Sequence, residues 1–172
     1  VGETGGPLVI TYRVSAGRLP DKHWYSDRRQ GGRLIGEVCH FIDTCAYLVG
    51  HPVASVSCVG SGRGEPLLEQ DLIVTVRYSD GSLAAISYAS GGNPSTPKER
   101  IEILGRGHSA VVDDFRRTLL DGKKGSGLST DKGYVAELSL LRSMIAQRTR
   151  SEEVTLAALD SMATTLAAEL SL

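Results

Sequence analysis

Short stretches of alternating apolar and polar residues occupy much of this chain, and three segments follow the helical period instead. Leu8 to Val14 (LVITYRV) is rich in β-branched and aromatic residues and reads as a strand. Ser15 to Gln30 has loop composition, with Gly17, Pro20 and mixed charge. After Gly31-Gly32 the pattern turns helical. At about 100° per residue, Leu34, Ile35, Val38, Cys39, Ile42, Cys45, Ala46 and Val49 share an arc of roughly 140°. Gly50 just past the last apolar position, with Pro52 beyond it, makes a helix stop.

Four strands are predicted next: Val53 to Val59, Asp71 to Tyr78, Leu83 to Ser90 and Arg100 to Leu104. Asp80-Gly81 joins the middle two as a hairpin. Leu72, Val74, Val76 and Tyr78 point one way while Ile73, Thr75 and Arg77 point the other, as in an antiparallel sheet covered on one side. Ala110 to Leu120 fits either a helix or a strand that runs to a turn at Asp121-Gly122. Asp131 to Gln147 is an amphipathic helix carrying Val135, Leu138, Leu141, Met144 and Ile145. Thr155 to Leu170 is another, with Leu156, Leu159, Met162, Leu166 and Leu170 in step. With no repeat or internal linker, this order predicts one α+β domain over residues 1–172, its helices segregated to one side.

Charge narrows the partners. Nineteen basic and 20 acidic residues leave no electrostatic footprint for nucleic acid or an anionic membrane, so a small neutral or anionic ligand fits better. No stretch approaches the roughly 20 apolar residues that span a bilayer, and no signal-peptide pattern opens the chain. Cys39, Cys45 and Cys58 have no CxxC spacing, which argues for a reducing, cytoplasmic setting and against a structural zinc.

The helix from Arg33 to Val49 carries the candidate chemistry. Opposite its apolar arc stand Arg33, Gly36, Glu37, His40, Asp43, Thr44 and Tyr47. Glu37 and His40 are three apart, as are His40 and Asp43, so either carboxylate can approach the ring. A carboxylate there would fix the imidazole tautomer and support its protonated form, as a general acid/base requires. A polar helix face is also ordinary solvated surface, and spacing alone leaves both readings open. His23, His51 and His108 have no paired spacing with His40, so no metal is predicted. Gly31-Gly32 admits either a close ligand approach or a plain turn.

The segment GGRLIGEVCHFID (Gly31 to Asp43) resembles the signature of the glucose–fructose oxidoreductase / inositol dehydrogenase / rhizopine-catabolism (Gfo/Idh/MocA) family, at the first helix of its C-terminal domain. YRVSAGRLPDKHW (Tyr12 to Trp24), ERIEILGRGHSAVVDDF (Glu99 to Phe115) and DKGYVAEL (Asp131 to Leu138) are similar to flanking pieces in the same order. The resemblance implies an open, mostly antiparallel sheet with helices packed on one face. It also implies an N-terminal Rossmann domain, absent from this chain, that binds NAD or NADP and supplies a lysine. His40 matches the family's catalytic histidine. Where the family often has an aspartate four residues earlier this chain has Gly36, so the carboxylate role is carried to Glu37. The implied substrate is a sugar, polyol or related hydroxy compound, and family members commonly associate through the sheet, which implies a homo-oligomer.

Within that resemblance Arg18, Lys22, His23, Trp24, Arg33 and Asp43 are the expected substrate contacts. Arg18 and Lys22 would bond hydroxyls or a phosphate, and Trp24 would stack on a sugar face. Gly105-Arg106-Gly107-His108-Ser109-Ala110 fits the dinucleotide pattern G-x-G-x-x-A. No parallel strand and full helix follow it, so a tight turn is the better reading, and the chain alone is not expected to bind a nicotinamide. The rival reading is a non-catalytic oligomerisation or interaction domain. A loop with Arg18, Lys22, His23 and Trp24 just ahead of Glu37 and His40 favours a substrate site over assembly alone.

Overall fold

The computed structural model describes residues 5–20, 22–62, 68–125, 133–149 and 151–172. Asp131-Lys132 of the expected late helix lie outside them. Eight strands form one sheet: β1 (Leu8–Ser15), β2 (Val53–Gly60), β3 (Leu72–Tyr78), β4 (Leu83–Ala89), β5 (Glu99–Gly105), β6 (His108–Asp113), β7 (Arg117–Leu120) and β8 (Lys123–Lys124). Their order across the sheet is β2-β3-β4-β1-β5-β6-β7-β8. Among the described residues only the central pair β1–β4 is parallel; the other pairings are antiparallel. The fold is therefore α+β, an open and mostly antiparallel sheet.

The ambiguous stretch from Ala110 to Leu120 resolves into β6, a turn and β7. Its apolar residues pair with β5 and with each other, a sheet context that no local periodicity could show. Gly105-Arg106-Gly107 is the β5–β6 hairpin turn, with φ of +150°, +55° and +77°. The G-x-G-x-x-A pattern thus joins two antiparallel strands rather than opening a helix.

Period two decides which sheet face is buried. Leu8, Ile10, Tyr12 and Val14 of β1 join Leu72, Val74, Val76 and Tyr78 of β3 and Ala84, Ile86 and Tyr88 of β4 in one core. A π-helical turn (Leu34–Val38) leading into α1 (Cys39–Val49) covers this face. It supplies Leu34, Val38, Phe41, Ile42, Cys45 and Val49 to the core. Gly50 ends α1 in the left-handed conformation, φ +71°, as the stop signal predicts. Cys45 and Cys58 sit in the core, where burial pushes their thiols up to about 12 and about 11.

The C-terminal helices depart from expectation. Helix α3 (Glu152–Leu170), capped by the Ser151 hydroxyl, buries Ser161, Thr164, Thr165 and Ala168. It does not bury the stripe of Leu156, Leu159, Met162, Leu166 and Leu170, which is exposed. Small side chains let α3 lie close against α1 and β2, and that close approach outweighs the leucine periodicity. Helix α2 (Tyr134–Gln147) buries none of its residues, including its apolar stripe. Among the described residues no helix is long and apolar enough to cross a membrane.

Candidate functional site

The helix carrying the candidate chemistry begins with two glycines in the left-handed region, Gly31 at φ +80° and Gly32 at +62°. Left-handed backbone at both positions favours glycine whatever approaches them. The next turn is π-helical, with the Cys39 N–H bonded back to the Leu34 carbonyl. One extra residue in a turn displaces everything before it by roughly 100° relative to a uniform wheel. Arg33 and Glu37 consequently leave the outer face where uniform spacing puts them and turn toward the sheet.

Arg33 is 1% exposed and acts as a hub. Its Nε donates to Gln70 Oε1 at 3.0 Å, one terminal nitrogen to the Tyr88 hydroxyl at 2.6 Å, and the other to the Gly17 carbonyl at 2.9 Å. Glu37 accepts from Arg33 at 3.5 Å, from Lys98 Nζ at 2.6 Å, and from the Tyr88 hydroxyl. Burial alone would raise the Glu37 carboxyl. The hydrogen bonds from Lys98 and Tyr88, with the charges of Lys98 and Arg33, outweigh it and hold the group below the usual glutamate range. Burial, reinforced by the Glu37 bond and charge, pushes the Tyr88 phenol well above its ordinary value. At neutral pH this is an ionised carboxylate between two cations and a neutral phenol.

The expected Glu37–His40–Asp43 constellation is not assembled. Both Glu37 oxygens are turned to the sheet side, and Asp43 accepts from the Ser161 hydroxyl of α3 at 2.5 Å. His40 is exposed, and among the described residues its ring makes no hydrogen bond. The π-turn lies between Arg33 and α1, and Glu37 within it bonds Lys98 and Tyr88 rather than His40. Arg33, expected as a substrate contact, is buried, and its donors bond Gln70, Tyr88, Glu37 and Gly17.

The loop between β1 and the π-turn holds the other expected contacts. His23 and Trp24 stack with centroids 5.7 Å apart, and Trp24 remains 49% exposed. Lys22 is exposed. Arg18, also exposed, lines a polar recess of about 400 Å³ with Ser61, Glu69, Gln70, Asp71 and Ser90. A second recess, of about 470 Å³, lies along Ser15, Gly17, Asn93, Thr96, Lys98 and Arg116. Arg33 bonds to the walls of both, through Gln70 and Gly17, so it pins the loop that separates them. Among the described residues no three His, Cys, Asp or Glu side chains gather as a metal site.

Sequence reasoning missed Tyr25, Tyr88 and Lys98. Tyr88 was legible as a core position of an alternating strand, but its hydroxyl partner was not. Lys98 lies 61 positions from Glu37 in a polar loop, where no local pattern marks it.

The fold, an open and mostly antiparallel sheet with one helical layer, recurs in solved structures. Over 98% of its length the chain superposes on 55% of UDP-N-acetylglucosamine 3-dehydrogenase GnnA from Acidithiobacillus ferrooxidans, with TM-score 0.76 and 16% identity. It matches 55% of the aldose-aldose oxidoreductase from Caulobacter crescentus, complexed with glycerol, over 97% of its own length (TM-score 0.73, 19% identity). It matches 55% of the WlbA dehydrogenase from Bordetella pertussis, in complex with NADH and UDP-GlcNAcA, over 98% (TM-score 0.67, 20% identity). At such identities the likeness is one of fold, and the chain spans little more than half of each of these proteins. The chain belongs to the GFO/IDH/MocA C-terminal domain family, whose model matches residues 1–111. Compared with curated proteins it has no match.

Proposed function

We propose that this chain is the substrate-binding and oligomerising half of a nicotinamide-dependent oxidoreductase acting on a sugar, polyol or related hydroxy compound. A Rossmann domain outside this chain would hold NAD or NADP. The observation that carries the reading is the uncommitted imidazole of His40. Within the segment that bears the family signature, Arg33, Glu37 and Asp43 are all tied to protein partners, while His40 stands bare at the surface. A general acid/base needs that freedom to reach a substrate hydroxyl.

Hydride acceptance or donation is the chemistry that a bound nicotinamide supplies. In the oxidising direction His40 takes the hydroxyl proton as the carbonyl forms; in reduction it returns that proton to the carbonyl oxygen. Glu37 supports the site at one remove by holding Lys98, whose ammonium faces the recess beside Gly17. Trp24 offers an aromatic face to a sugar ring, with His23 behind it. Arg18 and Lys22 supply cations for hydroxyl or phosphate oxygens.

The sheet face that the described residues leave uncovered supports the oligomerising part. Leu104, Val9 and Leu83 form a continuous exposed apolar row across β5, β1 and β4. The same row favours the second reading, a domain that serves assembly alone.

The two readings separate on His40→Ala in the protein that carries its cofactor domain. The exposed side chain leaves no core cavity, so folding should be unaffected. Turnover should fall by ~10²–10⁴-fold, the usual worth of a general acid/base, with much less change in KM. A folded variant that keeps near-normal turnover would leave His40 an ordinary solvated residue and return the chain to the assembly reading.

A further inference from the structure

Three aromatic side chains crowd onto the π-turn. The Trp24 and Tyr25 rings meet edge-on with centroids 4.0 Å apart, and His23 stacks on Trp24. The His23 Nδ1 atom accepts the Tyr25 backbone N–H at 3.2 Å. The cluster is fastened to the helical segment at Gly36, whose carbonyl accepts from the Tyr25 hydroxyl at 2.8 Å. A methyl group on Gly36 would lie 2.2 Å from Tyr25 Cε1, 2.7 Å from Cδ1 and 3.0 Å from Trp24. Gly36 is not among the residues of positive φ, so its backbone would accept any side chain. The glycine is there for space, and the space is filled by Tyr25.

The same ring lies under the hub. The Arg33 guanidinium carbon is 5.7 Å from the Tyr25 centroid, within cation–π range. Tyr25 therefore touches the π-turn at its carbonyl, at its notch and at the arginine that grips Glu37. If residue 36 carried a Cβ, either the ring would be expelled or the turn would have to tighten toward α. In an α register Glu37 would swing by roughly 100° and lose Lys98.

We propose that Tyr25 is a positioning residue for this site. Its ring, seated in the notch at Gly36, fixes the π-turn in the register that delivers Glu37 to Lys98 and leaves His40 bare. It also holds Trp24 outward as a stacking platform for a sugar ring. The proposal rests on the reading of this face as the substrate side. It accounts for the departure from the family signature at position 36, because an aspartate there would occupy the volume of the Tyr25 ring.

Trp24 is the sole tryptophan, so its fluorescence reads the lock without any catalysis. Acrylamide quenching and thermal melting would be measured on this chain with Gly36→Ala, Tyr25→Ala and both together. Gly36→Ala should raise the quenching constant about twofold, the ratio of full exposure to the present 49%, as overpacking expels the cluster. It should also lower the melting point by roughly 2–12 °C. Adding Tyr25→Ala should cancel the melting cost of the methyl, so that the double variant melts with Tyr25→Ala alone. Unchanged quenching and melting in Gly36→Ala would overturn the lock. So would a methyl cost that persists without Tyr25, including failure of both variants to fold.

The positioning role has its own readout, Tyr25→Phe in the protein joined to its cofactor domain. That variant keeps the ring and loses only the bond to Gly36. It should reduce kcat by roughly 10–100-fold through misplacement, with little change in KM. An unchanged kcat would overturn the positioning role even if the fluorescence arms succeed. A parent without oxidoreductase activity would instead sink the functional reading and leave the lock to be decided by Trp24.

Discussion

Glu37 is 13% exposed, yet it is charged, because Lys98, Tyr88 and Arg33 supply what water would. Lys98 can rehydrate when its partner goes; Arg33, 1% exposed, cannot. Replacing Glu37 with Gln should therefore cost about 1–3 kcal/mol at pH 7, mostly from the guanidinium left in the core. The folded carboxyl titrates below its unfolded value, so its contribution is fully present above the ordinary glutamate pKa, about 4.3, and is lost as pH falls through the lower folded value. Urea melts of both proteins should show a gap that holds from pH 7 to about 5 and then narrows on acidification. A gap that widened in acid would mean burial had won and the carboxyl is raised. The charged pair was not legible locally: Glu37 was visible as a candidate, but its true partners come from β4 and the loop before β5.

Among the elements, α3 shows most sharply how a periodic pattern can be read and still mislead. Its leucine stripe is real, but the buried face is Ser161, Thr164, Thr165 and Ala168. The Ser161–Asp43 bond ties α3 to α1 from that face, and the Ser171 hydroxyl accepts the Cys58 N–H of edge strand β2 at 2.7 Å. An ordering of mutants follows. Ala168→Leu, at a position 0% exposed, should overpack the buried face of α3 and cost about 1–3 kcal/mol. Leu159→Ser, at 61% exposure, should stay within about 0.5 kcal/mol. Denaturant midpoints decide it. The reverse order would mean that α3 packs by its leucines. The π-turn is the companion case: a uniform 100° step puts Leu34 and Val38 on the buried face correctly, but gives Arg33 and Glu37 to the outer face because it cannot anticipate an i→i+5 bond.

At the scale of the whole molecule, the described residues cover the sheet on one side only. The row Leu104, Val9 and Leu83 continues into neighbouring rows of Thr11, Ala85 and Thr75, then Arg13, Ser87 and Ile73. Such a surface is apolar enough to associate and polar enough to stay hydrated. Sedimentation at micromolar concentration should show self-association that Val9→Lys with Leu83→Lys abolishes. Leu159→Lys on the α3 stripe should leave it in place. An assembly that survives the double lysine variant, or dissolves with the α3 variant, would move the interface off the sheet.

What sequence by itself determined here was local and periodic. The strands, the Asp80-Gly81 hairpin, the Gly50 helix stop and the buried faces of β1, β3 and β4 follow from alternation and turn chemistry, which act between near neighbours. The family signature, carried by Gly31 to Asp43, was equally open to reading. Tertiary structure alone decided which polar groups meet. It turned Glu37 away from His40 and toward Lys98, buried Arg33 as a hub, gave the Gly36 notch to Tyr25, and left α3's leucines outside. The physical reason is that these choices balance the burial of charge against partners tens of residues away, and no window of neighbouring residues contains both sides of that balance.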